Sequence, residues 1–387
     1  MRSSPHRPIA AAVLLGVSLL AAIAPPARAQ RPDDGTHRTP RSTIFAIVGT
    51  ILGGVAGYAY TKAAKGGGAA IVAGAAAGGG IFGYFIGREY DVTYRTRYHG
   101  LPPLHPPSIS VDLEGEPTSL DAGDSTIAVA GSDGVELFSE QDGLRAEARR
   151  AGGLRGIGTV AIAPRSRWLA LGSPAGLYLY PPRVGPGTLV REGDVGATAA
   201  TSERVFFGVG DRVEIAPFGA DTTRAWPGTT LGATVRALVV DSARALLLAS
   251  TDRELVALRV AGDSLERVGG VTLDGVGRRL AATHDTVAVA LGEHGVALYD
   301  TSNPASPRPL ATWTTALFAY DVAFTGSRLY VAAGPEGVYV LDVGDGTLRT
   351  LGLARGLGFA SALATDGRYT YILDRRSNAL RRIQSAF

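Results

Sequence analysis

The sequence predicts an all-β fold, a seven-bladed β-propeller over residues 108–387, preceded by a short Gly/Ala-rich α-helical hairpin. Three observations predict the propeller. The first is a unit of about forty residues, clearest in DVAFTGSRLYVAAGPEGVYVLDV at 321–343. It reads as strands Asp321–Phe324, Arg328–Ala333 and Val338–Val343, with a fourth near Leu348–Leu353. The second is its recurrence. The first apolar residue after each central turn falls at Val135, Leu177, Val213, Leu255, Val296, Val338 and Leu380, with spacings of 42, 36, 42, 41, 42 and 42. The third is composition. β-branched and aromatic runs alternate with Gly, Pro and Ser turns, and no 3.6-residue pattern is sustained, which separates blades from helical repeats.

Taken from its beginning, the chain opens with Arg2 and Arg7, an apolar Ile9–Ile23 and Ala27-Arg28-Ala29 before Gln30. A basic flank, an apolar core and a small-x-small site predict a signal peptide over 1–29 and export to the bacterial cell envelope or beyond. There is no cysteine, so neither a lipid-modified cysteine nor a disulfide contributes and stability rests on the core. Residues 30–43 are polar and read as a linker.

Residues 44–88 are two uncharged runs, Ile44–Tyr60 and Ala69–Gly87, parted by Lys62, Lys65 and three glycines. Each run would span roughly 25–29 Å as a helix, near the thickness of a bilayer core. Gly49, Gly53 and Gly57 recur every fourth residue, as do Gly79, Gly83 and Gly87, with Gly74 and Gly78 a further pair. That spacing puts the glycines on one helix-packing stripe. Each interior Gly costs about 1 kcal/mol relative to Ala, so six would need tight packing or lipid to offset them. A membrane-inserted hairpin that self-associates into homo-oligomers follows. The segment resembles the glycine-zipper domains of bacterial envelope proteins. Residues 89–107 form a linker. Tyr90, Tyr94 and Tyr98 suit a membrane interface or the underside of the propeller, and LPPLHPP at 101–107 favours an extended path.

Within the propeller, SISVDLEG at 108–115 is an orphan strand, and the last unit lacks its fourth. Pairing the two would close the ring and remove two sheet edges. The pattern of apolar strand, Gly-x-x-Gly turn and GVALYDTSNPASPRPLATW at 295–313 resembles the LVIVD-repeat family of bacterial propellers. The resemblance implies a propeller outside the cytoplasm and carries no catalytic residues.

The net charge is only +3 and the arginines are scattered, which argues against nucleic acid. The most basic stretch, 368–384, is expected on a solvated outer strand. No nucleophile elbow, zinc-binding helix pair, phosphate loop or calcium loop occurs. His284 and His294 fall on a strand start and a turn, a poor basis for a shared metal. No metal or cofactor is expected. Asp300, Asp342 and Asp374 are expected in turn roles. Asp321 opens an innermost strand, and Arg236 and Arg279 fall at corresponding places in neighbouring units, so these three are candidate channel ligand-binders. The leading expectation is a non-catalytic scaffold for a protein or glycan partner. The alternatives are an enzyme acting on a small polar or glycan ligand at the channel mouth, and a membrane-organising or pore-forming hairpin with a propeller cap.

Overall fold

A computed structural model describes residues 103–104 and 109–385, apart from 124–125, 133, 141–143, 151–153, 155 and 183–185. The expected signal peptide, the expected glycine-zipper hairpin with its eight stripe glycines and the tyrosines of the 89–107 linker lie outside the described residues. Among the described residues no helix is long and apolar enough to cross a membrane.

Two strands come first, β1 (Pro103–Leu104) and β2 (Ile109–Asp112). Blade 1 then holds β3 (Pro117–Gly123), β4 (Thr126–Gly131), β5 (Gly134–Ser139) and β6 (Arg145–Arg150). Blade 2 holds β7 (Thr159–Ile162), β8 (Leu169–Ser173), β9 (Gly176–Tyr180) and β10 (Thr188–Glu192). Blade 3 holds β11 (Val195–Ala200), β12 (Arg204–Val209), β13 (Arg212–Pro217) and β14 (Gly228–Thr230). Blade 4 holds β15 (Val235–Asp241), β16 (Leu246–Thr251), β17 (Glu254–Ala261) and β18 (Ser264–Thr272). Blade 5 holds β19 (Arg279–Thr283), β20 (Thr286–Ala290), β21 (Val296–Asp300) and β22 (Arg308–Trp313). Blade 6 holds β23 (Asp321–Thr325), β24 (Arg328–Ala332), β25 (Val338–Gly344) and β26 (Thr347–Ala354). Blade 7 holds β27 (Ala360–Thr365), β28 (Tyr369–Asp374) and β29 (Ala379–Gln384). Its fourth strand is β2, antiparallel to β29 with Ile109 opposite Arg382 and Asp112 opposite Ala379. The prolines of 101–107 do not leave the chain wholly unpaired, because β1 runs parallel to β26 at the edge of blade 6. An edge is where a sheet tolerates proline.

The first strand of each blade lies against the first strand of the next, and β27 meets β3 to complete the circle. Middle strands are buried on both faces, as in β4, β16 and β20. Burial on both faces explains their apolar runs. Alanine recurs because sheets approach closely: Ala128 and Ala130 pack with Val160 and Leu171 of blade 2. The Gly-x-x-Gly turns have a steric cause. A Cβ on Gly337 (φ +107°) would stand 2.1 Å from the Ala354 carbonyl oxygen, and one on Gly295 (φ +75°) 2.0 Å from that of Trp313. The fourth strand passes there, so only glycine fits.

Polar contacts mark the joints between blades. Thr159 and Thr198 hydroxyls meet at 2.8 Å, and Arg204 pairs with Asp263 at 3.1 Å. The Ser250 hydroxyl donates to the Gly277 carbonyl at 2.7 Å, and the Trp313 indole N–H to Thr350 at 2.9 Å. The stretch 368–384 departs from expectation. It forms β28, a turn and β29, not an outer strand, because β2 covers its edge. Arg382 is only 11% exposed, pairs with Glu140 of blade 1 and lies 4.0 Å over the Tyr369 ring.

Candidate channel-mouth site

The strands of each blade run back and forth, so two sets of connections share one face of the ring. These are the loops entering each first strand and the turns between second and third strands. On that face the central channel opens into a cavity of about 800 Å³. Arg236, Arg278, Arg279 and Arg375 line it, with Asp194 the one carboxylate among the described lining residues. A second cavity of about 320 Å³ shares Arg236 and Arg279 with it and is walled by first-strand residues including Asp121 and Asp321. The three sequence-predicted site residues therefore share one channel.

Backbone geometry puts them there. Arg236 occupies the register shift at the start of β15, between Val235 and Ala237. Equivalent shifts fall at Gly196 and Ser361, which also line the mouth. A bulge re-aims its side chain away from the regular pleat. Arg236 Nε donates to Asp252 at 2.6 Å, and Arg279 Nη1 to the Arg278 carbonyl at 3.1 Å. Among the described residues no salt bridge joins Arg278, Arg279 or Arg375 to a carboxylate.

Asp321 is buried, and both its oxygens are engaged. Oδ1 accepts from its neighbour's Val322 N–H at 2.8 Å and Oδ2 from Leu363 N–H of blade 7 at 2.9 Å. Asp121 repeats the device, accepting from Ala122 N–H at 2.9 Å and Ile162 N–H of blade 2 at 2.7 Å. Burial pushes Asp321 up to about 6 against the opposing pull of Arg279 and the amides. Asp121 is also pushed up to about 6, mainly by burial, with a further contribution from the Asp321 charge.

An aromatic tier adjoins the arginines. Phe318 and Tyr320 have ring centroids 4.4 Å apart, and Tyr320 meets Phe359 at 5.0 Å and 67°. The Arg278 guanidinium lies 4.8 Å from the Phe318 ring centre, within cation–π range. Both loops that carry the rings are pinned. Ala319 N–H donates to Gly292 O, and Gly334 and Ala360 exchange two bonds, each at 2.9 Å. Asp374, wholly buried, accepts from Gly358 N–H at 2.9 Å, Phe359 N–H at 2.8 Å and Arg381 at 2.9 Å. Burial disfavours its charge, but these donors together hold its carboxyl below the usual range. Asp374 is thus the buried anchor of a mouth loop, more than a turn residue. Asp300 does serve a turn, accepting from Ser302 N–H at 2.8 Å, while Asp342 pairs across the strands with Arg349 at 3.0 Å.

Sequence reasoning missed Arg278, Arg375 and the three rings. The repeat register held the signal: Arg375 falls in the blade 7 turn equivalent to those that hold Gly210 in blade 3 and Gly292 in blade 5, at the channel face. His284 and His294 sit beyond opposite ends of β20, and no cluster of three potential metal ligands occurs among the described residues.

No protein-family model and no curated protein sequence matches the chain. Solved structures do. The chain is similar to the structure of U3-55K, with a TM-score of 0.61 and 16% identity over 72% of this chain and 100% of that one. It is similar to the RRP9 WD40 repeats, with a TM-score of 0.60 and 15% identity over 73% and 99%. The WD40 propeller domain of Doa1 is another, with a TM-score of 0.58 and 14% identity over 75% and 98%. At these identities the comparison establishes the β-propeller fold.

Proposed function

We propose that the protein is a non-catalytic interaction scaffold of the bacterial envelope whose propeller docks a protein partner at the channel mouth. The carrying observation is the mouth itself, a cavity lined by four arginines beside a tier of three aromatic rings in tilted and edge-on contact. Arginine and aromatic residues are the types enriched at protein interfaces and their hot spots. In this reading residues 1–29 direct export, as in the LVIVD-repeat propellers the sequence resembles. Residues 44–88 then hold the propeller at a membrane and join copies through the glycine stripe. Fold alone chooses no partner; the composition of the mouth supports one.

The test is site-specific photo-crosslinking of the full-length protein in cells, with the crosslinker at Leu317 beside the mouth and at Ser242 on the opposite face. The same specific protein is expected from Leu317 and absent from Ser242. No specific product from either position would sink the scaffold reading. Alkaline washing of membranes tests the anchor, which predicts retention in the pellet.

A second reading, an enzyme acting on a small polar ligand, draws support from Asp121 and Asp321, whose values near 6 suit acid–base work. Their oxygens already accept amide bonds, which favours a structural role.

A further inference from the structure

Building on the scaffold reading, we propose that the mouth recognises an extended acidic segment of its partner that also carries an aromatic side chain. Carboxylates of the segment seat against Arg236, Arg278, Arg279 and Arg375, and the ring lies on the Phe318–Tyr320–Phe359 tier.

Charge sets the first half of this specificity. The mouth gathers four guanidiniums and one aspartate, in a protein whose charges otherwise nearly balance. Asp252 engages Arg236, and no salt bridge takes up the other three among the described residues. A concave site lined by one sign of charge concentrates ligands of the opposite sign. Arginine forks also match carboxylates in bidentate geometry.

The tier sets the second half. A free phosphate or small dicarboxylate would satisfy the arginines and leave the rings uncovered. Leu317, at the tier's edge, is 60% exposed, and Val276 on the cavity wall 37%. Leu317 lies outside the cavity lining, next in the chain to Phe318, so exposed apolar side chains are not confined to the cavity, which suits an extended chain. The loops beneath it are already fixed by Asp374, by the Gly334–Ala360 pair of bonds and by Ala319 to Gly292. Docking therefore orders little of the protein, which favours affinity.

The experiment uses the full-length protein in detergent and fluorescein-labelled decapeptide libraries. One library alternates Asp or Glu with polar residues and holds a single Phe, Tyr or Trp. A second lacks the ring, and a third replaces the acids with Lys. We expect binding of the first library, weaker binding of the second and none of the third, with affinity falling as salt rises. Arg278→Glu and Arg375→Glu, both at exposed positions, should each weaken binding about tenfold or more, the equivalent of roughly 1.4 kcal/mol. Leu317→Ser should lower it several-fold. Arg259→Glu, on an outer hairpin, should leave it unchanged.

Equal binding with and without the ring, or full displacement by millimolar inorganic phosphate, would overturn the segment in favour of a simple anion site. Equal losses in Arg259→Glu would overturn the mouth as its location. A crosslinked partner with no affinity for acidic peptides would sink this inference and leave the scaffold standing. Acidic-peptide binding without any cellular crosslink would do the reverse.

Discussion

Asp321 Oδ2 accepts a hydrogen bond from the Leu363 N–H at 2.9 Å across the joint between blades 6 and 7. A carboxylate facing the channel thereby fastens one first strand to the next, and Asp121 does the same to Ile162 at 2.7 Å. The sites that shape the channel also hold the ring together, and their protonation should register in stability.

Between about pH 4 and 6 the folded protein keeps protons on Asp121 and Asp321 that the unfolded chain has released, because both values are raised to about 6. Their contribution to stability is therefore greatest below about pH 4, falls as pH rises to about 6 and is level above. Asp374 acts oppositely. Its lowered value stabilises above the ordinary carboxylate range and is lost as pH falls through it. Denaturant midpoints measured from about pH 4.5 to 7 should fall as pH rises to about 6 and then level, and the Asp121→Asn/Asp321→Asn double variant should flatten that fall whatever its absolute stability. An unchanged slope would count against the assignment.

Arg382→Ala should destabilise the closure between blades 7 and 1 by about 3–5 kcal/mol, because it strands Glu140, whose side chain is 8% exposed. The comparison is Arg349→Ala, whose partner Asp342 is accessible. There the loss should stay within about 1 kcal/mol. Urea unfolding of both variants decides the difference.

Gly337→Ala should be costly, by about 3 kcal/mol, since it combines a strained backbone with the Ala354 carbonyl in the way. Gly326, at φ +59°, has open space where a Cβ would go. Its alanine variant should lose only about 1 kcal/mol. Paired thermal melts check the ratio.

Asp374→Ala should loosen the Gly358–Phe359 loop and leave Arg381 without its carboxylate. Faster amide hydrogen exchange is expected at residues 356–360 than at β24 of the same molecule. Uniform exchange across both regions would argue that the loop holds itself.

Much of the fold was legible because a blade is a local pattern. Strands, glycine turns and register are written within forty residues, and the marker spacing exposes their repetition. The Gly-x-x-Gly turn was readable, but its cause, the carbonyl of a strand about seventeen residues on, was not. The channel site was half legible. Asp321, Arg236 and Arg279 follow from repeat register, since first strands line the axis. Arg278 and Phe318 escaped because they belong to loops of irregular length between blades. Arg382 was misjudged because its neighbours, β2 and Glu140, lie more than two hundred residues away in the chain. Charge patterns within one segment carry no trace of such partners.

The pairing of β2 with β29 also sets a clock. Its partners are about 270 residues apart, so at roughly 5–20 residues per second of synthesis the early strand waits on the order of fifteen to fifty seconds for its place. Throughout that interval it is an open edge, and an edge can be filled by another molecule's strand as well as by its own. Crowded, simultaneous production therefore favours exchanged rings, while slow, dilute production favours self-closed ones.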